Sequence, residues 1–256
     1  DRYKITFIYH NIGVTCMENG MYRDAENAFK NALEISLSFN LYRNIVASYY
    51  HLGALNFKTG KWKKAIDYYE LAIAKSQENN FLEGMCKAYN NLGELYEKRS
   101  EYNLAYDLYF KGVEILPDVK DDFLKAELYG NLGSVLTHLH NYGEAYPYLV
   151  ESYDYFKSLD AKDKIIEANQ KYAFYFIQTR NFESAAYYIN SAIKTAKELK
   201  LEFELGKAYY IRSFLQSSKN EAINDIKLAI ELFIKTNNNF ELALTNYHYA
   251  NLLAEG

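Results

Sequence analysis

Asparagine side chains recur at one phase of this chain and could bind the main chain of a peptide. Asn11, Asn91 and Asn131 share one phase of a regular spacing of about 40 residues, and His51 and Lys171 stand at the same phase. A side-chain amide both donates and accepts hydrogen bonds, so it can satisfy both polar groups of a peptide unit. A row of such amides would hold an extended or helical peptide whatever its side chains are. The alternative interpretation is that asparagine is tolerated on a hydrated surface of an asparagine-rich chain.

Histidine, cysteine and carboxylate residues form no catalytic or metal-binding pattern. His138 and His140 are two residues apart, a spacing that does not place both side chains on one helix face. Cys16 and Cys86 are far apart in sequence and lack the short spacing of zinc ligands. Glycine-rich phosphate loops and nucleophile motifs do not occur either. We therefore expect no enzymatic activity, no cofactor and no metal site.

The elements that carry the asparagines repeat along the whole chain with the same period. Small residues mark one phase of the repeat, and alanines mark a second phase twelve residues later. The first set is Gly13, Gly53, Gly93, Gly133 and Ala173, and the second is Ala25, Ala65, Ala105, Ala145 and Ala185. Each repeat has two amphipathic segments with apolar spacing near 3.6 residues, separated by a short turn. A fixed period of this size predicts an all-α solenoid, in which each repeat buries its apolar face against its neighbours.

We expect one continuous array over residues 1–256. Its repeats span about 6–45, 46–85, 86–125, 126–165, 166–205 and 206–242, with a partial repeat over 241–256. The sixth repeat departs most from the pattern. It is three residues short, because Ala222 takes the alanine position early, and it has Arg212 and Ser213 where leucine and glycine stand elsewhere.

The repeats resemble tetratricopeptide repeats, which have aromatic, Leu-Gly, tyrosine and alanine positions and a closing proline. The residues that carry the resemblance are Tyr49, Leu52, Gly53, Ala65, Tyr69 and Ala72 in one repeat, and Tyr89, Leu92, Gly93, Ala105, Tyr109 and Pro117 in the next. The resemblance implies a right-handed superhelical solenoid with a concave groove. The usual repeat of this family is shorter than the period of this chain, so we expect longer helices and a wider groove.

Positions within each repeat are numbered so that the glycine of the Leu-Gly pair is position 8. Positions 2, 6, 9 and 13 then share one face of the first helix, which we expect to line the groove. The candidate peptide-binding residues are Asn11, His51, Lys87, Asn91, Asn131, Lys171, Phe174, Lys207, Ile211 and Phe214. Phe174, Ile211 and Phe214 are expected to form an apolar patch beside Lys171 and Lys207, where a hydrophobic side chain near a peptide carboxylate would fit. The alternative is that further repeats cover this patch.

Composition limits the classes of partner. The chain has 256 residues, 24% of them charged, and a formal net charge of −4, which gives no reason to expect nucleic-acid binding. No apolar run approaches the ~18 residues of a membrane span, and no signal peptide is apparent. With only two cysteines, a cytoplasmic location is the expectation. The chain starts at Asp1 and stops within a repeat, as expected of a fragment of a longer protein, and tyrosine-rich outer faces of the last repeats are a candidate homodimer surface.

Arrays with such long repeats resemble two groups of proteins. One is the cytoplasmic peptide-pheromone receptors of Gram-positive bacteria, in which an effector domain precedes the array. The other is the Leu-Gly-Asn type of scaffold, which grips extended segments of partner proteins. Both place asparagine on the groove face of the first helix, as Asn11, Asn91 and Asn131 do here. We predict the ligand-binding array of a peptide-responsive, quorum-sensing type of regulator, with a static scaffold or adaptor as the alternative.

Overall fold

The computed structural model describes residues 2–254, and this part of the chain is helical with no β-strand. The helices are α1 (Arg2–Glu18), α2 (Tyr22–Ser38), α3 (Tyr42–Lys58), α4 (Trp62–Glu78), α5 (Leu82–Lys98), α6 (Tyr102–Ile115), α7 (Asp122–His138), α8 (Tyr142–Ser158), α9 (Lys162–Gln178), α10 (Phe182–Leu199), α11 (Glu202–Ser213), α12 (Lys219–Lys235) and α13 (Asn239–Ala254). The odd-numbered helices are the first helices of their repeats and the even-numbered helices are the second ones. The chain is thus the all-α array of helix–turn–helix repeats that the period predicts. It divides into two compact bodies, the N-terminal body (1–135) and the C-terminal body (136–256).

Turns with a left-handed residue set the period. Gly20, Asn40, Gly60 and Asn80 follow one another at even intervals, and each has a positive φ. After α2, the N–H of Asn40 bonds to the carbonyl of Leu37, and the next N–H bonds to the carbonyl of Ser36. This is the Schellman pattern, which satisfies the last carbonyls of a helix and needs a left-handed residue. Two helices of 17 residues, each followed by a three-residue turn, account for the full length of one repeat.

Glycine at position 8 is required because a ring from the second helix of the same repeat lies against it. A Cβ built on Gly53 would lie 2.6 Å from Cε1 of Tyr69, and one on Gly93 would lie 2.6 Å from Cε1 of Tyr109. Both tyrosines are fully buried. Real Cβ atoms do not approach carbon this closely, so any larger residue would have to displace the ring. The small-plus-aromatic pattern of the sequence is therefore a close approach of two helices.

Pro117 ends a helix early, as its position predicts. α6 has 14 residues, whereas its neighbour α5 has 17, and a short 3₁₀ turn over Leu116–Asp118 follows it. Proline lacks an N–H and cannot continue the α-helical hydrogen-bond series. The repeat length is nevertheless kept, because the next helix begins at Asp122.

In the sixth repeat, the arginine at the leucine position pairs with a buried carboxylate. Arg212 donates from Nε and Nη2 to the two carboxylate oxygens of Asp225, at 2.9 and 2.5 Å. Gln216 donates a further hydrogen bond of 2.7 Å to the same carboxylate. Asp225 lies on α12 and is buried. The residue that departs from the leucine pattern thus joins α11 to α12 by a bidentate pair, whose geometry is the strong form of such contacts.

Candidate functional site

The first helices of the N-terminal body lie side by side and bring the position-6 residues onto a common face. α1 contacts α3, and α3 contacts α5. We call the face that carries Asn11, His51, Asn91 and Asn131 the amide face. Asn11 is exposed, and the other three are half-buried. Polar side chains held half-buried on adjacent helices are less mobile than fully exposed ones, so a ligand would meet partly ordered groups.

Asn91 is tied to two tyrosines of the preceding repeat. It hydrogen-bonds the hydroxyls of Tyr50 and Tyr69. Burial raises the pKa of both tyrosines, and the hydrogen bonds with Asn91 partly oppose this rise. Tyr69 is 0% exposed, so its hydroxyl needs a partner inside the protein. Asn91 therefore has a structural role that the sequence did not reveal, and this role fixes the orientation of its amide.

Asn131 is held by a second amide. Its Nδ2 donates a 2.9 Å hydrogen bond to Oδ1 of Asn90, which is buried at position 5 of the preceding repeat. A carboxylate lies on the neighbouring turn of the same helices. Glu97 accepts hydrogen bonds from Ser134 at 2.8 Å and from the buried Tyr109 at 2.9 Å. Side-chain hydrogen bonds thus join the consecutive first helices α5 and α7 and satisfy polar groups at their contact.

The position-6 residue of the second repeat is a half-buried imidazole. The ring of His51 stacks on Phe29 with centroids 5.0 Å apart and lies 5.3 Å from the ring of His10. His10 shares a 2.8 Å hydrogen bond between Nε2 and the hydroxyl of Ser48. Burial lowers the pKa of His10 to about 4, and burial together with repulsion from His10 lowers the pKa of His51 to about 3. Both rings are neutral at pH 7, so His51 differs in kind from the three amides.

Lys87, a predicted groove cation, is already paired within the protein. Its Nζ lies 2.5 Å from Glu83 and 3.9 Å from Asp121. Two carboxylates thus share one ammonium group, and the local charge around Lys87 is not positive. This lysine would meet a ligand as part of an ion pair rather than as a single cation.

In the C-terminal body, the predicted cations Lys171 and Lys207 lie among acidic side chains. Lys207 pairs with Glu204 at 2.7 Å, and Lys164 pairs with Glu167 at 3.4 Å. Burial acts to raise the pKa of Glu167, but attraction from Lys164, Lys207 and Lys171 outweighs it, so the pKa is lowered. Positive and negative groups therefore alternate across α9 and α11, a pattern that the groove positions of the sequence do not reveal.

The predicted apolar patch is distributed over three different contacts. Phe174 packs on the ring of His138 with centroids 4.5 Å apart. Phe214 stacks on the ring of His248 at 4.3 Å, and 44% of Phe214 is exposed. Ile211 packs against the core of the C-terminal body. Whether these three side chains contact a ligand together stays a prediction.

Within residues 2–254, no group of three or more His, Cys, Asp or Glu side chains could hold a metal ion. The helices in this range are too short or too polar to span a bilayer. Cys86 is buried, its Sγ lies 3.4 Å from the carbonyl of Gly112, and burial raises the pKa of its thiol to about 12. Such a thiol is a poor nucleophile, in keeping with a packing role.

Residues 5–78 match the tetratricopeptide repeat family. Comparison with curated proteins gives no sequence match. Among solved structures, the chain is similar to a Rap protein complexed with competence and sporulation factor, with a TM-score of 0.75 at 16% identity over 100% of this chain and 72% of that one. The apo form of RapI gives 0.70 at 14% identity over 98% and 99% of the two chains.

The apo form of the quorum sensor NprR from B. thuringiensis gives a TM-score of 0.67 at 19% identity, over 100% of this chain and 72% of that one. At such identities the likeness shows the fold alone. It shows that the helix pairs of this chain are arranged as in the tetratricopeptide arrays of Rap and NprR.

Proposed function

We propose that this chain, whose fold is that of tetratricopeptide arrays and whose residues 5–78 match that family, binds a peptide in extended form on its amide face. The proposed biological role is the sensing array of an intracellular peptide-responsive regulator. Peptide binding would favour one arrangement of the repeats over another, and an effector would respond to that shift. The array itself contributes recognition rather than catalysis.

The observation that carries this proposal is the anchoring of Asn91 and Asn131. Each amide is oriented by a hydrogen bond to a neighbouring repeat, so little conformational entropy remains to be lost when a ligand binds. An amide bonded on one side can still use further donor or acceptor capacity, since it has two N–H groups and two acceptor lone pairs. A row of oriented amides suits a ligand whose polar groups also recur at regular intervals, as the N–H and C=O groups of a peptide main chain do.

The fold neighbours give independent support of a weaker kind. One Rap structure holds competence and sporulation factor, and NprR is described as a quorum sensor. Those are properties of those proteins. Their fold is shared by this chain, which makes the same kind of ligand a reasonable first choice for it.

Native mass spectrometry with a synthetic mixture of random peptides of roughly five to ten residues tests the proposal. We expect discrete adducts with the full chain and their loss in Asn91→Ala. The free energy of unfolding of Asn91→Ala is measured as the control, because Asn91 also bonds Tyr50 and Tyr69 within the fold. Loss of adducts together with an equal loss of stability would show that folding, and not ligand contact, is responsible.

The length of ligand required distinguishes the sensor from the scaffold alternative. The charges of the C-terminal body alternate over α9 and α11, which would also suit a long segment with alternating charges. If only segments of about twenty residues or more bind, the chain acts as a scaffold of the kind that grips an extended partner. If short peptides bind with similar affinity to long ones, the sensor role is supported.

A further inference from the structure

Aromatic rings from α8, α9 and α10 meet on one side of the C-terminal body. We call this set the aromatic face, and its members are Tyr146 and Tyr153 of α8, Tyr172 and Phe176 of α9, and Tyr188 of α10. The rings of Tyr172, Phe176 and Tyr188 are nearly parallel, with centroids 4.8 to 5.9 Å apart. Tyr153 is inclined by 82° and Tyr146 by 69° to the ring of Tyr172. The face is thus a parallel stack with two upright rings from α8 beside it.

Aliphatic residues take two of these positions in the repeats that come before. The residues one, two and three repeats before Tyr153 are Val113, Ile73 and Leu33, and those before Tyr172 are Leu132, Leu92 and Leu52. All three of these last leucines are at most 4% exposed. Helix packing at this position therefore needs no hydroxyl. The two tyrosines add polar groups that the fold itself does not use.

The hydroxyl of Tyr172 lies at the base of the aromatic face. Tyr172 is only 4% exposed, yet within residues 2–254 its hydroxyl makes no hydrogen bond, and its oxygen is not completely enclosed. Burial raises the pKa of this hydroxyl, and the neighbouring Tyr146 and Tyr188 raise it further, so it stays protonated at neutral pH. A buried hydroxyl normally has a partner. The base of the face thus presents a hydrogen-bond donor to whatever lies on it.

The aromatic face is open at its rim and does not lie at an end of the array. Tyr146 is 43% exposed, and Tyr153, Phe176 and Tyr188 are half-buried. Helices precede α8 and follow α10 in the chain, so this is not an end face that a further repeat would cover. Contiguous exposed rings in such a place mark an interaction surface rather than scattered surface residues.

Charged groups of opposite sign border the aromatic face. The carboxylate of Asp154 acts by its charge on Tyr172 and Tyr188. Nζ of Lys157 lies 5.5 Å from the ring centroid of Tyr153. Because the two charges offset each other, the face favours an uncharged ligand. Such a ligand must stack on aromatic rings and accept hydrogen bonds from tyrosine hydroxyls.

The spacing of the two upright rings indicates the backbone conformation of the ligand. Tyr146 and Tyr153 are two turns apart on one helix, which is about 10.5 Å along its axis. Polyproline II has three residues per turn and rises ~3.1 Å per residue, so every third residue points the same way after about 9.3 Å. A β-strand repeats its side-chain direction after about 6.8 Å and fits this spacing less well. The upright rings therefore match successive turns of a polyproline II segment.

We infer that the aromatic face binds a proline-rich segment of a partner protein in the polyproline II conformation. Proline rings pack on aromatic side chains, and the carbonyls of such a segment accept hydrogen bonds from tyrosine hydroxyls without competition from its own N–H groups. These 256 residues do not supply the segment, since their two prolines, Pro117 and Pro147, lie apart within helical elements. The amide face lies on the N-terminal body, and the inference does not depend on peptide sensing.

Calorimetric titration of the full chain with a polyproline peptide of about ten residues tests the inference, with a Gly-Ser peptide of the same length as the control ligand. We expect the polyproline peptide to bind and the Gly-Ser peptide not to bind. Tyr153→Val should weaken binding about ten-fold or more, because it removes an upright ring but keeps the aliphatic packing seen at Val113. Tyr172→Phe should weaken it about five-fold through the loss of one hydrogen bond. Tyr247→Val, at a 68% exposed position of α13, is the matched control and should leave binding unchanged.

Four results would overturn the inference. The first is no binding of the polyproline peptide at millimolar concentration, and the second is equal binding of the Gly-Ser peptide. The third is binding that Tyr153→Val and Tyr172→Phe leave unchanged; if Asn91→Ala abolishes it instead, the peptide lies on the amide face. The fourth is a dimer of the chain, detected by sedimentation, that dissociates upon Tyr153→Val, which would assign the aromatic face to a second copy.

Discussion

Acid should destabilise the N-terminal body through the imidazoles of His10 and His51. Burial holds their pKa values near 4 and 3, whereas an unfolded histidine titrates near 6.5. Because the folded values are depressed, the neutral rings contribute their full stability above pH 6.5, and this contribution is lost as the pH falls towards 4. The groups in contact with the rings are Ser48, Phe29 and Tyr50, and none of these supplies a negative charge that would hold an imidazolium.

The size of the effect follows from proton linkage. Between pH 8 and pH 5 the unfolded chain protonates each histidine while the folded chain largely does not. One and a half pKa units at ~1.4 kcal/mol each give about 2 kcal/mol per imidazole. Because His51 is only half-buried, we expect about 3 kcal/mol for the pair. This is a large fraction of the stability of an ordinary domain.

Trp62 makes the assay specific. It is the single tryptophan of the chain, lies at the start of α4 and packs on the ring of Phe57 at 6.4 Å. Urea unfolding followed by its fluorescence therefore reports on the body that holds both histidines. The wild type should lose about 3 kcal/mol between pH 8 and pH 5, and the variant His10→Gln/His51→Phe should lose correspondingly less.

His140→Gln serves as the control, because His140 is exposed in a turn. It should keep the pH dependence of the wild type. Equal pH slopes for the wild type and the double variant would refute the reasoning, as would resonances of the His10 and His51 imidazoles in the folded protein that titrate near 6.5.

Three further predictions concern stability, each measured by chemical unfolding. Gly53→Ala should lower the free energy of unfolding by about 2 kcal/mol, because its Cβ would lie 2.6 Å from a buried ring. Gly143→Ala is the control: its Cβ would have no atom within 4 Å, so it should be neutral or stabilise slightly. A neutral Gly53→Ala would show that the ring can move. Arg212→Leu should lower the free energy of unfolding by about 3 kcal/mol, because the buried carboxylate of Asp225 would lose its ion-pair partner. Arg212→Leu/Asp225→Leu should recover most of this stability. A double variant as unstable as the single one would contradict this. Arg180→Gly should stabilise by about 1 kcal/mol, because Arg180 has a φ of 59° that glycine adopts without strain, and no gain would argue against strain at this turn.

Local spacing was enough to predict the repeat and the helical class. Sequence separation alone decides which residues share a face of a helix, so small and apolar residues that recur in register indicate the buried face. The left-handed turns could be predicted only in part. Glycine indicates the turns at Gly20 and Gly60, but Arg180 and Lys200 adopt the same conformation without a sequence signal. Their conformation is imposed by the Schellman hydrogen bonds at the end of the preceding helix and not by the residue.

The partners of the polar groups required the tertiary structure. His10 meets Ser48, Glu97 meets Ser134, and Asn131 meets Asn90. Each pair is separated by about one repeat, so the sequence indicates that such neighbours exist but not which position meets which. A hydrogen bond depends on ångström-scale distance and on angle, and a small rotation of a helix exchanges one partner for another.

The sequence by itself therefore determined the all-α repeat architecture and the row of side chains at position 6. The tertiary structure decided what those side chains can do: Asn91 and Asn131 are anchored, His51 is stacked and neutral, and Lys87 and Lys207 are paired with carboxylates. The physical reason is that burial of a face follows from periodicity along one helix. The charge and hydrogen bonding of a group follow from what the neighbouring helices place within about 3 Å of it.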